Sequence, residues 1–387
     1  MITKKLDENL KRILVASTQN SYYDCLVYVR DIGKFISYVN KNNICKVLKK
    51  FNFINALECR VSPNNLIKLA SIDYVGYISS QSYVTALVDK SRKILIDHEI
   101  NLTGKNVNIC FIDTGIATHL DFTLKKNKIV KFLDLYNDVE IPYDDNGHGT
   151  FVSSVASGSG LLSNGKYKGI APNSNIISIK ALDHNGEASA TKILDAMQWI
   201  YDNYKKYDIK IVCMSFGSEP LGYNDPIMKG AEALWNKGVV VVAAAGNSGP
   251  KKSTIKSPGI SSRVITVGAL DDHRAEDNDL KYRNFDIAEF SSRGPAFRLY
   301  KPDIVAPAVD ICCCSYKGGY TKLSGTSVAT PMIAGIVALI LECKPKLKPD
   351  SIKRLILSSC KPITFDRNLE GYGYPVMSEI VKKINYL

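Results

Sequence analysis

The sequence of 387 residues contains no apolar run long enough to cross a membrane. Its longest runs, GVVVVAAAG (238–246) and MIAGIVALIL (332–341), fall well short of the roughly 20 residues that a spanning helix needs. The N-terminal stretch MITKKLDENLKRILVAS is charged and lacks the apolar core of a secretory signal. We therefore expect a cytoplasmic protein with no signal peptide, no transmembrane segment and no membrane partner.

Paired cysteine motifs are missing as well. The ten cysteines include no C-x-x-C spacing, and three of them are consecutive at 312–314. Neighbouring side chains of a strand point to opposite faces, so this run does not favour a disulfide framework. We expect ten reduced thiols, most of them buried as small apolar side chains.

Acidic residues are fewer than basic ones, and the net charge is +12. Half of this excess falls within residues 1–90. A basic excess is typical of nucleic-acid-binding proteins, but these lysines are scattered and lack the stacking aromatic residues of an RNA-binding face. We therefore expect solvated lysines and no nucleic-acid partner.

The first quarter of the chain alternates strand patterns with helix patterns. Strands are predicted at 23–30 and 74–79 and as a pair within 46–61, with helices over 31–42 and 62–72. The second helix has a typical start, Ser62 followed by Pro63. The order β-α-β-β-α-β predicts a ferredoxin-like α+β domain over residues 1–87.

From Asn106 onward the pattern changes to buried strands that alternate with helices. The strand runs are VNICFID, NIISIKAL, IKIVCMS, GVVVVAAAG and RVITVGAL. This rhythm predicts an α/β domain over residues 88–387, with a doubly wound, mostly parallel sheet covered on both faces. Ligands of such sheets bind at the carboxyl ends of the strands, so that edge is where we expect the chemistry.

Asp113 ends the first of these strands, in the stretch CFIDTG. The triplet Asp-Thr-Gly is also how an aspartic protease presents a catalytic carboxylate. That chemistry needs a second carboxylate to share the proton, and no second D-T-G or D-S-G occurs in the chain. Asp113 is therefore expected to serve another residue.

Three further polar residues follow strands or open helices. His148 lies between two glycines in NGHGT, Asn247 follows an apolar strand in AAAGNSG, and Ser327 opens a long apolar helix in SGTS. Each has an ordinary structural interpretation: a buried histidine, a turn asparagine or an N-cap serine. Together, Asp113, His148 and Ser327 give the order Asp…His…Ser at one edge of one sheet, which favours nucleophilic catalysis.

Three segments carry a family resemblance: VNICFIDTGIATHLDF, NGHGTFVSSVASG and SGTSVATPMIAGIVALI. They resemble the three signatures of the subtilisin-like serine proteases, and the resemblance spans roughly residues 105–375. It is strongest to intracellular or cell-associated bacterial members. It implies a serine endopeptidase in which Ser327 is the nucleophile, His148 the general base and Asp113 the group that orients His148. It also implies that Asn247 belongs to the oxyanion hole.

The resemblance further implies a substrate cleft that holds a peptide as an extended strand. One edge is Gly186, Glu187 and Ala188, and the other is Ser215, Phe216 and Gly217. The second edge, with Ala244, Ala245 and Gly246, forms the pocket for the residue before the scissile bond (P1). Lys256 aligns at the rim or base of that pocket, where relatives often have a small residue. Lys256 either favours an acidic P1 side chain or points to solvent.

Asp121, in THLDF, matches an aspartate that binds calcium in many secreted relatives. The loop that would supply further ligands is GSGLLSNGKYKG (158–169), which has no carboxylate. Calcium needs six to eight oxygen ligands, so we expect no required cofactor and keep Asp121 as the candidate metal ligand.

Residues 23–87 resemble the propeptide that assists folding and caps the active site in this family. A self-processing zymogen is therefore expected, cut near SYVTALVD (82–89) with Leu87 as P1. A leucine at P1 does not agree with an acid-preferring pocket, and the sequence leaves both open. Two alternatives also stay open: a silent pseudoprotease that acts as a regulatory binding module, and a processing protease with one dedicated substrate.

Overall fold

The computed structural model describes residues 22–52, 55–80, 101–273 and 285–384, together with 5–6, 10–11, 14, 92 and 94–96. The chain divides into two compact units, Met1–Thr85 and Ala86–Leu387. The predicted roles of 1–87 as propeptide and of 88–387 as catalytic domain stay predictions. The junction 82–89, with Leu87, lies outside the described residues.

The first unit is a small antiparallel sheet with two helices. Its elements are β1 (Tyr23–Val29), α1 (Ile32–Lys41), β2 (Lys46–Phe51), β3 (Ala56–Val61), α2 (Pro63–Ala70) and β4 (Val75–Ser80). The strand order is β2-β3-β1-β4, and every pairing is antiparallel. Phe35 and Val39 of α1 are buried with Leu66 and Leu69 of α2 in one apolar core. The predicted ferredoxin-like α+β fold is confirmed.

The second unit contains the large sheet, and the first part of this unit runs from β5 to α5. These elements are β5 (Asn108–Asp113), α3 (Leu120–Thr123), β6 (Ile129–Asp134), α4 (His148–Ser157), β7 (Asn175–Lys180) and α5 (Ala190–Asn203). The chain then continues through β8 (Ile209–Met214), α6 (Pro226–Asn236), β9 (Val240–Ala244), β10 (Ile265–Asp271), β11 (Asp286–Ile287) and β12 (Ile304–Pro307).

The remaining elements form a hairpin and a C-terminal helical segment. They are β13 (Ile311–Cys314), β14 (Tyr320–Leu323), α7 (Thr326–Cys343), α8 (Pro349–Ser358), β15 (Cys360–Lys361), α9 (Arg367–Glu370), β16 (Tyr374–Pro375) and α10 (Met377–Ile384). The consecutive cysteines 312–314 lie in β13 and are buried, and all ten cysteines are free thiols.

The order of the large sheet explains where a site can form. It reads β11-β10-β9-β8-β5-β7-β6, with β12 paired to β10, and its pairings are parallel except β10–β11. The chain builds β6 and β7 on one side of β5 and β8, β9 and β10 on the other. The winding therefore reverses at β5, and the carboxyl end of β5 opens into a crevice suited to a ligand. The predicted doubly wound fold is confirmed.

Helix α7 is apolar on all sides and packs against α4 and against strands β8 to β10. In the described part of the chain it is the one helix long and apolar enough to cross a membrane, although the apolar run read from the sequence is shorter. Some 83% of it is buried inside the protein, as expected for the core helix of a globular domain.

Candidate active site

Asp113 and His148 form a hydrogen-bonded pair at the carboxyl end of β5. Asp113 is the last residue of β5, and its side chain is 1% exposed. Its Oδ1 accepts hydrogen bonds from the backbone N–H of Thr114 (2.8 Å) and from Nδ1 of His148 (2.7 Å). Because a carboxylate can only accept, Nδ1 of His148 carries the proton and Nε2 is left as the basic nitrogen.

The loop before α4 is organised by a second buried carboxylate, that of Asp144. Its Oδ1 accepts from the N–H groups of Asn146 and Gly147 and from the Thr114 hydroxyl, at 2.7–3.2 Å. Its Oδ2 accepts from the N–H and hydroxyl of Thr150, at 2.8 and 2.6 Å. These five bonds hold the turn that ends at Gly147 in a left-handed conformation (φ 104°), from which α4 starts with His148.

The environment of His148 raises its pKa above the ordinary value. Desolvation alone would lower the pKa, but the charge of Asp113 and the hydrogen bond to it raise it, with a further contribution from Asp144. The charged imidazolium form is thus stabilised, and 27% of the His148 side chain remains exposed to solvent. A histidine held in this way can accept a proton and keep it until it is passed on.

Ser327 lies in the first turn of α7, next to a glycine that leaves space open. Gly325 is extended with φ 154°, and a Cβ built on it would lie 3.1 Å from Oγ of Ser327 and 3.3 Å from Nδ2 of Asn247. The hydroxyl and the amide therefore border the same small volume. The N–H of Ser327 is among the first N–H groups of α7, which have no partner within the helix.

Thr326 sets the orientation of the Asn247 amide. Its N–H and its hydroxyl both donate to Oδ1 of Asn247, each at 3.0 Å, and the N–H of Gly246 donates to the same hydroxyl at 3.2 Å. With Oδ1 fixed by these bonds, Nδ2 must face the opposite way, toward the volume beside Ser327. An oxygen that develops negative charge there would meet N–H donors.

The four residues come together from four separate segments. Asp113 ends β5, and Asn247 follows β9. His148 and Ser327 lie at the starts of α4 and α7, which pack against each other. Among the described residues no hydrogen bond yet joins Oγ of Ser327 to the ring of His148. Catalytic hydrogen bonds are often long before substrate binds, so the missing bond does not exclude proton transfer between them.

The two predicted cleft edges follow the strands that flank β5. Beyond β7, the N–H and the carbonyl of Glu187 both form hydrogen bonds with Asp183. The carbonyl of Gly186 and both backbone groups of Ala188 have no hydrogen-bond partner in the described part of the chain. Beyond β8, the backbone of residues 215–217 likewise forms no hydrogen bond within the described ranges. These groups can pair with an extended peptide, as in the addition of a strand to a sheet edge.

Lys256 lies between the two predicted walls of the P1 pocket. Its N–H donates to the carbonyl of Ala245 at 2.9 Å. A Cβ on Gly217 would lie 2.6 Å from Cβ of Lys256, and one on Gly246 would lie 2.5 Å from Cγ of Lys256. The side chain is only 16% exposed, and its ammonium pairs with the carboxylate of Glu219. The stem of Lys256 is therefore packed between the walls, and whether its ammonium selects an acidic P1 residue stays a prediction.

Asp121, the candidate metal ligand, already accepts hydrogen bonds from three protein donors. Its Oδ1 accepts from the N–H of Leu162 (3.0 Å), and its Oδ2 accepts from the Tyr320 hydroxyl (2.8 Å) and the Cys314 thiol (3.5 Å). His119, Asp121 and Cys314 bring ligand atoms within 4.8 Å of one another. A nitrogen, a sulfur and one occupied carboxylate fit calcium poorly, because calcium prefers six to eight oxygens.

Sequence reasoning missed three residues that support the site: Asp144, Thr326 and Glu219. Asp144 could have been suspected, because it stands three residues before the glycine that precedes the helix. Thr326 and Glu219 act only through contacts with residues 79 and 37 positions away, and no sequence signal reports them.

Comparison with known proteins gives a family match over most of the second unit. The sequence profile of the Subtilase family matches residues 104–374. The chain is 38% identical over 364 residues to "Serine protease AprX" of Bacillus subtilis (strain 168), a match covering 87% of this chain and 81% of that protein. It is 30% identical over 306 residues to "Thermophilic serine proteinase" of Bacillus sp. (strain AK1), covering 76% of this chain and 69% of that one.

Solved structures give the same likeness. The chain superposes on "Sphericase" with a TM-score of 0.63 and 26% identity, covering 74% of this chain and 97% of that one. For "S41 Psychrophilic Protease" the TM-score is 0.63 and the identity 28%, with the same coverage of 74% and 97%.

Proposed function

The chain belongs to the subtilase family and is a serine-type peptidase that acts on polypeptides, and from this premise we propose that Ser327, His148 and Asp113 are its catalytic triad. The proposal rests on two features of the site, the hydrogen bond of Asp113 and the small volume beside Gly325. The Asp113–His148 hydrogen bond of 2.7 Å supplies an oriented base. The volume shared by Oγ of Ser327 and Nδ2 of Asn247 supplies a nucleophile beside an oxyanion donor.

The proposed reaction proceeds through an acyl-enzyme. Nε2 of His148 takes the proton of the Ser327 hydroxyl as Oγ attacks the peptide carbonyl carbon. The carbonyl oxygen becomes an oxyanion that receives hydrogen bonds from Nδ2 of Asn247 and from the Ser327 N–H. His148 then gives its proton to the departing amine, and the carbonyl re-forms as an ester on Ser327. Water, deprotonated by His148, repeats the sequence and releases the acid.

Asp113 stays ionised through these steps. Its carboxylate keeps the Nδ1 proton in place, so that Nε2 is the nitrogen that faces Ser327. It also stabilises the imidazolium, in keeping with the raised pKa of His148. Substrate lies as an extended strand between residues 186–188 and 215–217, whose free backbone groups flank the carboxyl end of β5.

We also propose that the first unit is a propeptide and that the protein is a self-processing zymogen. The support is its confirmed ferredoxin-like fold together with the resemblance of residues 23–87 to the folding-assisting propeptides of this family. Self-processing requires the triad, so Ser327→Ala should leave the 42.7 kDa chain uncut. Intact-mass spectrometry of the purified wild type and variant measures this directly.

Labelling with a fluorophosphonate probe tests the triad. The probe should modify the wild type and Ser324→Ala, and it should not modify Ser327→Ala. Ser324 is a matched control because it is an exposed serine only three residues away, and its Oγ accepts a hydrogen bond from the N–H of Asp310. A folded wild type that resists the probe and cleaves no denatured protein would favour the silent binding module. Labelling of Ser327→Ala would show that the nucleophile is misassigned.

A further inference from the structure

The side chain of Lys256 makes the proposed P1 pocket shallower than an open apolar pocket would be. Gly217 and Gly246 stand on the two walls, and the Cβ and Cγ of Lys256 lie so close to both that neither wall could carry a side chain. The Lys256 stem therefore crosses the floor between the walls. A long apolar P1 side chain loses depth in such a pocket.

The backbone that carries Lys256 is held on both sides. The Lys256 N–H donates to Ala245, and the next residue, Ser257, exchanges two backbone hydrogen bonds with Ser218 at 2.9 and 3.0 Å. The Ser257 hydroxyl donates to the buried carboxylate of Asp225 at 2.5 Å. The backbone of the lysine and the first carbons of its stem are thus set by the fold.

The partner of that charge is much less constrained. Glu219 is 80% exposed, against 16% for Lys256, and the ion pair is its one side-chain contact among the described residues. An exposed glutamate can rotate into water at little cost. Lys256 has no such freedom, since its stem is packed against two glycines. In the described part of the chain Glu219 is also the one carboxylate that pairs with the Lys256 ammonium.

We propose, resting on the proposed function above, that Lys256 selects substrates with an acidic P1 residue and that Glu219 occupies the place of the substrate carboxylate until substrate binds. The bound Glu219 carboxylate shows that the ammonium accepts an anionic partner at this position. A P1 glutamate displaces Glu219, which turns to solvent. A P1 lysine or arginine meets the ammonium of Lys256 and is disfavoured.

This inference also bears on the self-cleavage site. Within residues 82–89 the one acidic residue is Asp89, two positions after Leu87. An acid-selective pocket moves the expected junction from Leu87 to Asp89, so a self-processed chain should begin at Lys90 rather than at Val88. The disagreement between an acid-preferring pocket and a leucine junction then disappears.

The test compares peptides that differ only at P1, as Glu, Gln, Leu, Ala or Lys, together with a denatured casein digest mapped by mass spectrometry. For the full-length protein, kcat/KM should be about tenfold higher with Glu at P1 than with isosteric Gln. This ratio lies between the value expected for an exposed ion pair and that expected for a buried one. Lys should be the poorest P1 residue. A Glu/Gln ratio of one or below, or a casein map dominated by Leu or small residues, overturns the proposal.

Two variants separate charge from shape. Lys256→Met keeps a long stem without the charge, so it should lose the preference for Glu over Gln without becoming efficient at Leu. Lys256→Gly should lose it and also gain activity at Leu. Glu219→Gln changes an exposed residue and removes the competing carboxylate, so the Glu/Gln ratio should rise. A ratio that is unchanged in Lys256→Met overturns the assignment.

Failure of this inference can be told from failure of the proposed function. If the protein reacts with the fluorophosphonate at Ser327 and cuts casein, but not after acidic residues, only the selectivity is wrong. If it neither reacts nor cuts, the triad proposal fails and the selectivity fails with it.

Discussion

Replacing Thr326 by alanine should weaken catalysis chiefly through Asn247. Oδ1 of Asn247 accepts two hydrogen bonds from Thr326, one from its N–H and one from its hydroxyl, each at 3.0 Å. Thr326→Ala keeps the first and removes the second. The amide then keeps one anchor, and Nδ2 is aimed less well at the oxyanion.

The magnitude follows from the one hydrogen bond to Asn247 that is lost. The Gly246 N–H also loses its hydroxyl acceptor at 3.2 Å, a loss that the melting temperature reports. A neutral hydrogen bond contributes about 0.5–1.5 kcal/mol net, which corresponds to roughly a 2- to 13-fold fall in kcat. Asn247→Ala removes the donor itself and should cost about 10²–10³-fold, the loss that subtilisin shows for its oxyanion-hole asparagine. KM should change little in both variants, because the oxyanion exists only in the transition state and the intermediates.

A peptide p-nitroanilide assay gives kcat and KM for each variant. Thr326→Ser keeps the hydroxyl and is the matched control, with activity close to wild type. The double variant Thr326→Ala/Asn247→Ala should be no slower than Asn247→Ala, because nothing is left to orient. Additive losses, or a Thr326→Ala defect confined to KM, would refute the assigned role, and equal melting temperatures are needed to exclude partial unfolding.

Other expectations concern titration and buried polar groups. The raised pKa of His148 predicts that kcat/KM rises with pH through a midpoint above about 6.5, because the base must be neutral. In the same pH–rate profile Asp113→Asn should move that midpoint down and lower turnover about 10⁴-fold, since the carboxylate raises the pKa and sets the tautomer. Asp144→Asn leaves buried donors without acceptors and should lower the free energy of unfolding by about 1–3 kcal/mol in denaturant titration, whereas Glu140→Gln at the surface should not. Desolvation lowers the pKa of Lys128 to about 8, so the unfolded chain binds the extra proton between about pH 8 and 10.5. Lys128 should therefore contribute up to about 3 kcal/mol of additional free energy of unfolding across that window. Lys128→Met should remove this contribution when its melts at several pH values are compared with those of the wild type.

The sequence was sufficient to predict the sheets, and it also supplied the four residues that we propose as the centre of the site. Alternation of apolar runs reports burial, and the carboxyl end of a buried strand can be read directly, as at Asp113. The order of Asp113, His148 and Ser327 then restricts the chemistry. The length of α7 was harder to predict. Its first turns are built from Thr, Ser, Ala and Pro, a composition that does not indicate how deeply they are buried.

Contacts between distant segments were not readable in this way. Thr326 looks like an ordinary helix-start threonine until Asn247 is placed against it. Asp121 is a second example: the sequence makes it a candidate metal ligand, and only the structure shows that its oxygens accept from Tyr320 and Leu162. When a residue matches a family motif, the match predicts where its backbone lies in the fold. Its role depends on neighbouring side chains that the motif does not contain.

The proposed triad and the proposed selectivity groups differ in burial, which explains why the sequence indicates the first more directly than the second. Asp113 ends a buried strand, and His148 and Ser327 begin helices whose following residues are almost all buried. Groups on such elements are held closely in place, because moving any of them would disturb the core. The selectivity groups lie instead on loops beyond β7, β8 and β9, where Glu219 and the 186–188 edge face water. Loop residues can change without cost to the core, so relatives can share one triad and differ in the side chain that they accept at P1.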